Sequence, residues 1–169
     1  MKPFLAALAC FLCLALAVPS AAETPNMRQS INYFMNYFNE AVVQAIHIKE
    51  HEDQEGLTEK RPFTDEYVFL QDLKARLEKS LGLALNLCDL YYIYNKTTYC
   101  FTKDEKNYVF DRLDNIMDTL QKIKDTPYPA GEAVLADKSA IPARELAAFN
   151  ERIDKLRAFV KSSLVVFQR

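Results

Sequence analysis

Glycine is scarce, with three residues in 169, and no glycine-rich phosphate loop exists; no serine sits in a G-x-S-x-G elbow. That excludes the familiar nucleotide-cradling loop and the α/β-hydrolase nucleophile. With half of the residues hydrophobic, it also disfavours a turn-rich β sandwich or a disordered chain and suits a packed helical domain. Basic charge is not in excess, 21 Lys and Arg against 23 Asp and Glu, so there is no basic stripe for a nucleic acid. Beyond the N-terminus no apolar run approaches the ~20 residues a transmembrane helix needs. There is no internal repeat and no low-complexity tract.

What is present begins with an apolar N-terminus. Lys2 gives a positive start, Phe4 to Val18 are almost all apolar, and Ser20-Ala21-Ala22 places small residues at a cleavage site. The pattern predicts a secretory signal over residues 1–22, cleaved after Ala22, and a single mature domain over residues 23–169. Without Lys2 the mature segment holds 20 basic and 23 acidic residues, a formal charge of -3 with histidine neutral. The expected localisation is secreted and extracellular.

Of four cysteines, Cys10 and Cys13 fall inside the signal and leave Cys88 and Cys100. An even pair in an oxidising compartment predicts a Cys88–Cys100 disulfide, and closing a loop of that size stabilises a fold by roughly 3 kcal/mol. Between them lies the sequon Asn95-Lys96-Thr97, which predicts an N-linked glycan on Asn95 in a stapled loop.

Hydrophobic spacing predicts an all-α domain, a single four-helix bundle with one disulfide between the end of the second helix and the start of the third. The first helix runs from about Asn26 to Glu50, with a stripe at Ile31, Phe34, Phe38, Val42, Ala45 and Lys49, widened by Met35, Ala41 and Ile46. A charged loop from His51 to Lys60 follows. The second helix starts near Thr64 and presents Leu70, Leu73, Leu77, Leu81, Ala84 and Cys88, with a weak point at Gly82. The third has a capping box in Thr102-Lys103-Asp104-Glu105, then Val109, Leu113, Ile116, Leu120 and Ile123, and stops before Pro127 and Pro129. A loop from Asp125 to Ala140 carries a short apolar island at Ala133 to Ala136. The fourth helix begins around Pro142 and carries a heptad seam at Leu146, Phe149, Ile153, Leu156, Val160, Ser163 and Phe167. The links are long enough to leave open both up-down-up-down and up-up-down-down orders.

Few residues carry chemistry. The only histidines, His47 and His51, stand one helical turn apart in His47-Ile48-Lys49-Glu50-His51, which matches the H-x-x-E-H pattern of inverted zincins. The chain is far shorter than such enzymes and a third ligand is not evident, so a solvated helix end is the plainer reading and no metal or cofactor is expected. Paired carboxylates such as Asp111 with Asp114 read as helix-surface residues. Nothing in the sequence predicts an enzyme. The cluster Tyr91, Tyr92, Tyr94 and Tyr99 reads first as packing over the helix ends, although tyrosine also suits interfaces.

The C-terminal stretch from Leu156 to Arg169, LRAFVKSSLVVFQR, resembles the last helix of four-helix-bundle cytokines of the interleukin-6 and interleukin-23 alpha-subunit class. The match covers about 14 residues, less than a tenth of the chain; a signal peptide, four helices, a disulfide and a sequon complete the likeness. The resemblance implies a secreted signalling ligand that binds a cell-surface receptor through exposed helix faces, with a second secreted subunit as a further partner. By analogy, the receptor-binding residues are Arg28, Asn32, Asn36 and Asn39 on the first helix, with Arg152, Lys155, Arg157 and Lys161 on the fourth. The alternative from a different class is an extracellular carrier of a lipid or small apolar ligand, held among Phe34, Phe38, Phe110, Phe149, Phe159 and Phe167.

Overall fold

The computed structural model describes residues 27–59, 64–97 and 101–167, with side chains within 29–59, 64–93 and 101–162. The expected leader and Cys100 lie outside the described residues. Those described form five helices and no strand: α1 (Met27–Gln54), α2 (Asp65–Thr97), α3 (Lys103–Asp125), the short α4 (Gly131–Val134) and α5 (Ile141–Phe167).

Local signals set the ends. α1 closes on a Schellman turn: Leu57 N–H donates to the Glu52 carbonyl at 2.9 Å and Gly56 N–H to Asp53 at 3.2 Å. Gly56 sits at φ 61°, the left-handed region where a Cβ is costly, and the turn drives Leu57 into the core. Thr64 caps α2 by accepting from Tyr67 N–H at 3.2 Å. At α3 the expected capping box forms. Thr102 Oγ1 accepts from Glu105 N–H at 3.3 Å, and Glu105 Oε2 accepts from Thr102 N–H at 2.7 Å. The bond from the Thr102 backbone, then that from its hydroxyl, holds the Glu105 carboxyl below the usual carboxylate range.

Cross-helix pairs give direction. His51 meets Glu66, Tyr37 donates to Ser80 and the Phe34 ring lies 6.2 Å from Tyr91, so α1 and α2 run antiparallel. Gln44 meets Glu145 and Tyr33 stacks on Phe159, so α1 and α5 are also antiparallel. Arg76, in the first half of α2, reaches the C-terminus of α3, and Lys124 of α3 reaches Asp154 of α5. The four long helices therefore alternate up, down, up, down around one apolar cluster.

Arg76 joins the two halves. Its Nη1 donates to the carbonyls of Ile123 (3.0 Å) and Thr126 (2.5 Å), and Nη2 to that of Pro127 (2.9 Å). Asp72 lies 2.7 Å from Nη2, and the guanidinium stacks 3.7 Å over the Tyr128 ring. A planar fork of donors at the carbonyl end of a helix meets its orphan acceptors and the negative end of its dipole together.

Three expectations are corrected. The buried face of α1 is Ser30, Phe34, Tyr37, Ala41, Gln44 and Ile48, so Ile31, Val42 and Lys49 are exposed and the stripe is turned by about one residue. α2, expected to span about 25 to 29 residues from near Thr64, is longer and continues to Thr97, because Leu87 and Tyr91 extend its buried face and Tyr91 packs against Phe34 and Phe159. Asn95 consequently lies in the last turns of a helix, not in a loop. Gly82 does not loosen α2, which runs through it unbroken. By contrast, all five expected core residues of α3 are buried.

Two stability outcomes follow. Arg76→Ala leaves the buried Ile123 carbonyl and the part-buried carbonyls of Thr126 and Pro127 without this donor, so urea unfolding should show a loss of about 2 kcal/mol. A Cβ at Gly82 meets nothing within 4 Å. Gly82→Ala should therefore gain about 0.5–1 kcal/mol in the same assay.

Candidate functional site

Polar side chains at the α1–α5 boundary are buried because they satisfy one another. Gln44 is 3% exposed and Arg152 is 9% exposed. Arg152 Nη1 donates to Gln44 Oε1 at 2.5 Å, and Gln44 Nε2 donates to the carbonyl (2.7 Å) and carboxylate (2.9 Å) of Glu145. The amide thus spends its oxygen on one helix turn of α5 and its nitrogen on another, which fixes the register of the pair. Arg152 Nε has no hydrogen bond; its nearest charge is Glu40 Oε2 at 3.8 Å.

Two open recesses flank Arg152. One, of about 140 Å³, is lined by Tyr33, Asn36, Tyr37, Glu40, Arg152 and Lys155. The other, of about 400 Å³, is lined by Asn39, Glu40, Val43, Gln44, His47, Glu145, Ala148 and Arg152. Below them Tyr33 stacks on Phe159 with ring centres 4.1 Å apart. Burial, then the neighbouring Tyr37 and Glu40, pushes the Tyr33 hydroxyl up to about 12. Tyr37 is also raised by burial, opposed by its bond to Ser80 and by Arg152.

The residues singled out from the sequence meet here only in part. Asn36, Asn39, Arg152 and Lys155 line this groove. Arg152 is a correction, since it is buried against α1 and not on an exposed face; its position in the α5 seam turns it inward. Asn32 and Lys161 are exposed, and Arg157 is half-buried with an Nε that has no partner. The Arg28 side chain lies outside the described residues. Lys155 pairs with Glu151 at 2.8 Å on the open surface, a bond of little energetic weight.

Gln44, Glu40, Tyr33 and Glu145 escaped sequence reasoning. Gln44 follows Ser30 and Tyr37 at intervals of seven, a polar heptad inside an apolar-looking helix, and that recurrence was the available signal. His47 lines the larger recess, whereas His51 is drawn away to Glu66 Oε1 at 2.8 Å. Among the described residues no group of three or more His, Cys, Asp or Glu side chains is placed to hold a metal. No helix among them is long and apolar enough to cross a membrane.

The tyrosines set an alkaline limit. An unfolded tyrosine ionises near 10 while Tyr33 stays protonated to about 12, so its contribution is complete below pH 10 and fades as pH rises through 12. Denaturation midpoints measured across that window should fall less steeply in Tyr33→Phe than in the parent.

Comparison of the chain with protein-family models, with curated proteins and with solved structures finds no match.

Proposed function

We propose that this chain is a secreted helical ligand, cytokine-like in role, whose four long helices form one four-helix bundle and whose α1–α5 groove engages a cell-surface receptor. The single observation that carries this reading is Arg152, nine-tenths buried with an unbonded Nε, between two open recesses. Arginine and tyrosine anchors surrounded by adaptable polar groups are the usual makings of a protein-binding hot spot. Glu40 is 63% exposed, so an acidic side chain of the receptor can take its place beside Arg152. The alternating helix order departs from the up-up-down-down arrangement of the cytokines, so the reading rests on the groove and not on that crossover.

The leader, the Cys88–Cys100 pair and the Asn95 glycan belong to the same proposal. With α2 helical to Thr97, Cys88 stands about 13 Å below the helix end, and the segment to Cys100 must double back to reach it. An intact mass showing no free thiol and an added glycan supports this chemistry; two free thiols and a bare Asn95 refute it.

The alternating order favours a second reading, a carrier of an apolar ligand. Against it, Phe34 and Phe149 are fully buried in a filled core, and both recesses are rimmed by charge. The deciding measurement is binding of labelled protein to cells. Asn39→Arg with Lys155→Glu, both on the rim, should lower binding at least tenfold with helicity and unfolding midpoint unchanged. An unchanged binding curve overturns the groove, and lipid in an organic extract of the purified protein moves the function to the carrier.

A further inference from the structure

α1 has a second surface, separate from the groove. From Gln29 to Ile48 the chain carries one charged residue, Glu40, and that residue faces Arg152 on the α5 side. Around the other side Ile31, Met35, Val42 and Ile46 are exposed, three of them by half or more. Phe38 is half-buried at their centre. Glu52 identifies where this stripe lies: it bonds to Gln71 of α2, and Ile31, Phe38 and Ala45 precede it at intervals of seven. On α2, Leu85 and Tyr92 follow Gln71 by two and three heptads and are also half-exposed. The antiparallel pairs Tyr37–Ser80 and Phe34–Tyr91 bring Leu85 and Tyr92 to the levels of Met35 and Ile31. An apolar strip about 22 Å long therefore runs along the α1–α2 edge, uncharged on α1 and flanked on α2 by the exposed Glu78 and Asp89.

Monomeric proteins rarely leave such a strip open, and depletion of charge with retention of Met and aromatics marks the centre of an interface. Two features select the occupant. The spacings from Ile31 to Met35 to Val42 to Ile46 are four, seven and four, the same read from either end. A two-fold axis between Phe38 and Asn39, perpendicular to the helix, sets Ile31 of one copy against Ile46 of the other and Met35 against Val42. The α1 residues of the strip also bear no charge, so the two α1 faces meet without like-charge repulsion, as an isologous contact requires.

We propose that this edge is a homodimer interface in which two copies of α1 pack antiparallel across that axis. Apart from Asn39, which flanks the axis, the α1 residues of the groove lie on the other side of the helix, so the dimer presents two grooves facing outward, a bivalent arrangement.

Sedimentation velocity of the secreted mature chain, from about 1 to about 100 µM, tests this. The parent should shift from monomer to dimer with concentration, and Met35→Lys or Val42→Glu should each raise the dissociation constant at least tenfold with unchanged helicity. The double variant Met35→Lys/Val42→Glu should recover dimerisation, because the two-fold sets the two new charges of opposite sign against each other. A parent that stays monomeric throughout, a dimer indifferent to the single variants, or a double variant that stays monomeric overturns the proposal. Monomeric protein whose cell binding is lost in the single variants assigns the strip to a receptor and overturns it as well.

Discussion

The Arg76 guanidinium is the fixed point around which the second half of the molecule is arranged. α3 ends with carbonyls that no following helical turn can satisfy, since Pro127 and Pro129 donate nothing. Arg76 answers that of Ile123 together with the carbonyls of Thr126 and Pro127 just beyond the helix, and stacks on Tyr128, whose ring packs 4.8 Å from Phe69. A lysine has the charge but not the fork. By tying the exit of α3 to the first half of α2, this contact sets where α4 and then α5 begin. The direction of α5 along α1 depends on it, and so does the groove.

The same logic of buried polarity recurs at Gln44 and Arg152, and again at Glu52, fully buried with Oε1 bonded to Gln71 and Oε2 3.6 Å from Lys74. Such pairs add little net stability relative to an apolar core of equal volume, but a mis-set register leaves them unpaired at a cost of several kcal/mol. They serve to make one helix phase and one direction the only comfortable choice. In α1 that role is needed, because apolar residues alone do not decide which side faces inward.

This explains what was legible in the sequence. α3 could be read residue by residue: the capping box was intact, and Val109, Leu113, Ile116, Leu120 and Ile123 formed a single stripe on a mostly polar helix. α1 could not, because its two adjacent apolar stripes differ by about 100° and periodicity cannot choose between them. The choice was made by Tyr37, Gln44 and Glu52, each of which has a partner on another helix. The length of α2 is underestimated from its leucine stripe, because Tyr91, which carries the buried face onward to Phe34, reads as part of a tyrosine cluster over the helix ends. Asn36, Asn39 and Lys155, named by analogy as receptor-binding, line the two recesses. Gln44 was passed over because its recurrence with Ser30 and Tyr37 at intervals of seven is a polar one, and a hydrophobic stripe does not register it.

The phase that α1 adopts has an energetic consequence. Turning the helix by one residue would bury Ile31, Met35, Val42 and Ile46, side chains each worth ~1.5–3 kcal/mol when removed from water. It would equally expose Phe34, Ala41 and Ile48 and strand Gln44 and Glu52, so the observed phase wins within the single chain. Much of the apolar surface left outside is gathered on one edge of α1 without a charged side chain of its own, next to Leu85 and Tyr92. A helix with more apolar surface than one core can absorb is best explained by a second surface that covers the remainder. The polar residues that fix α1 in the core also aim that remainder outward.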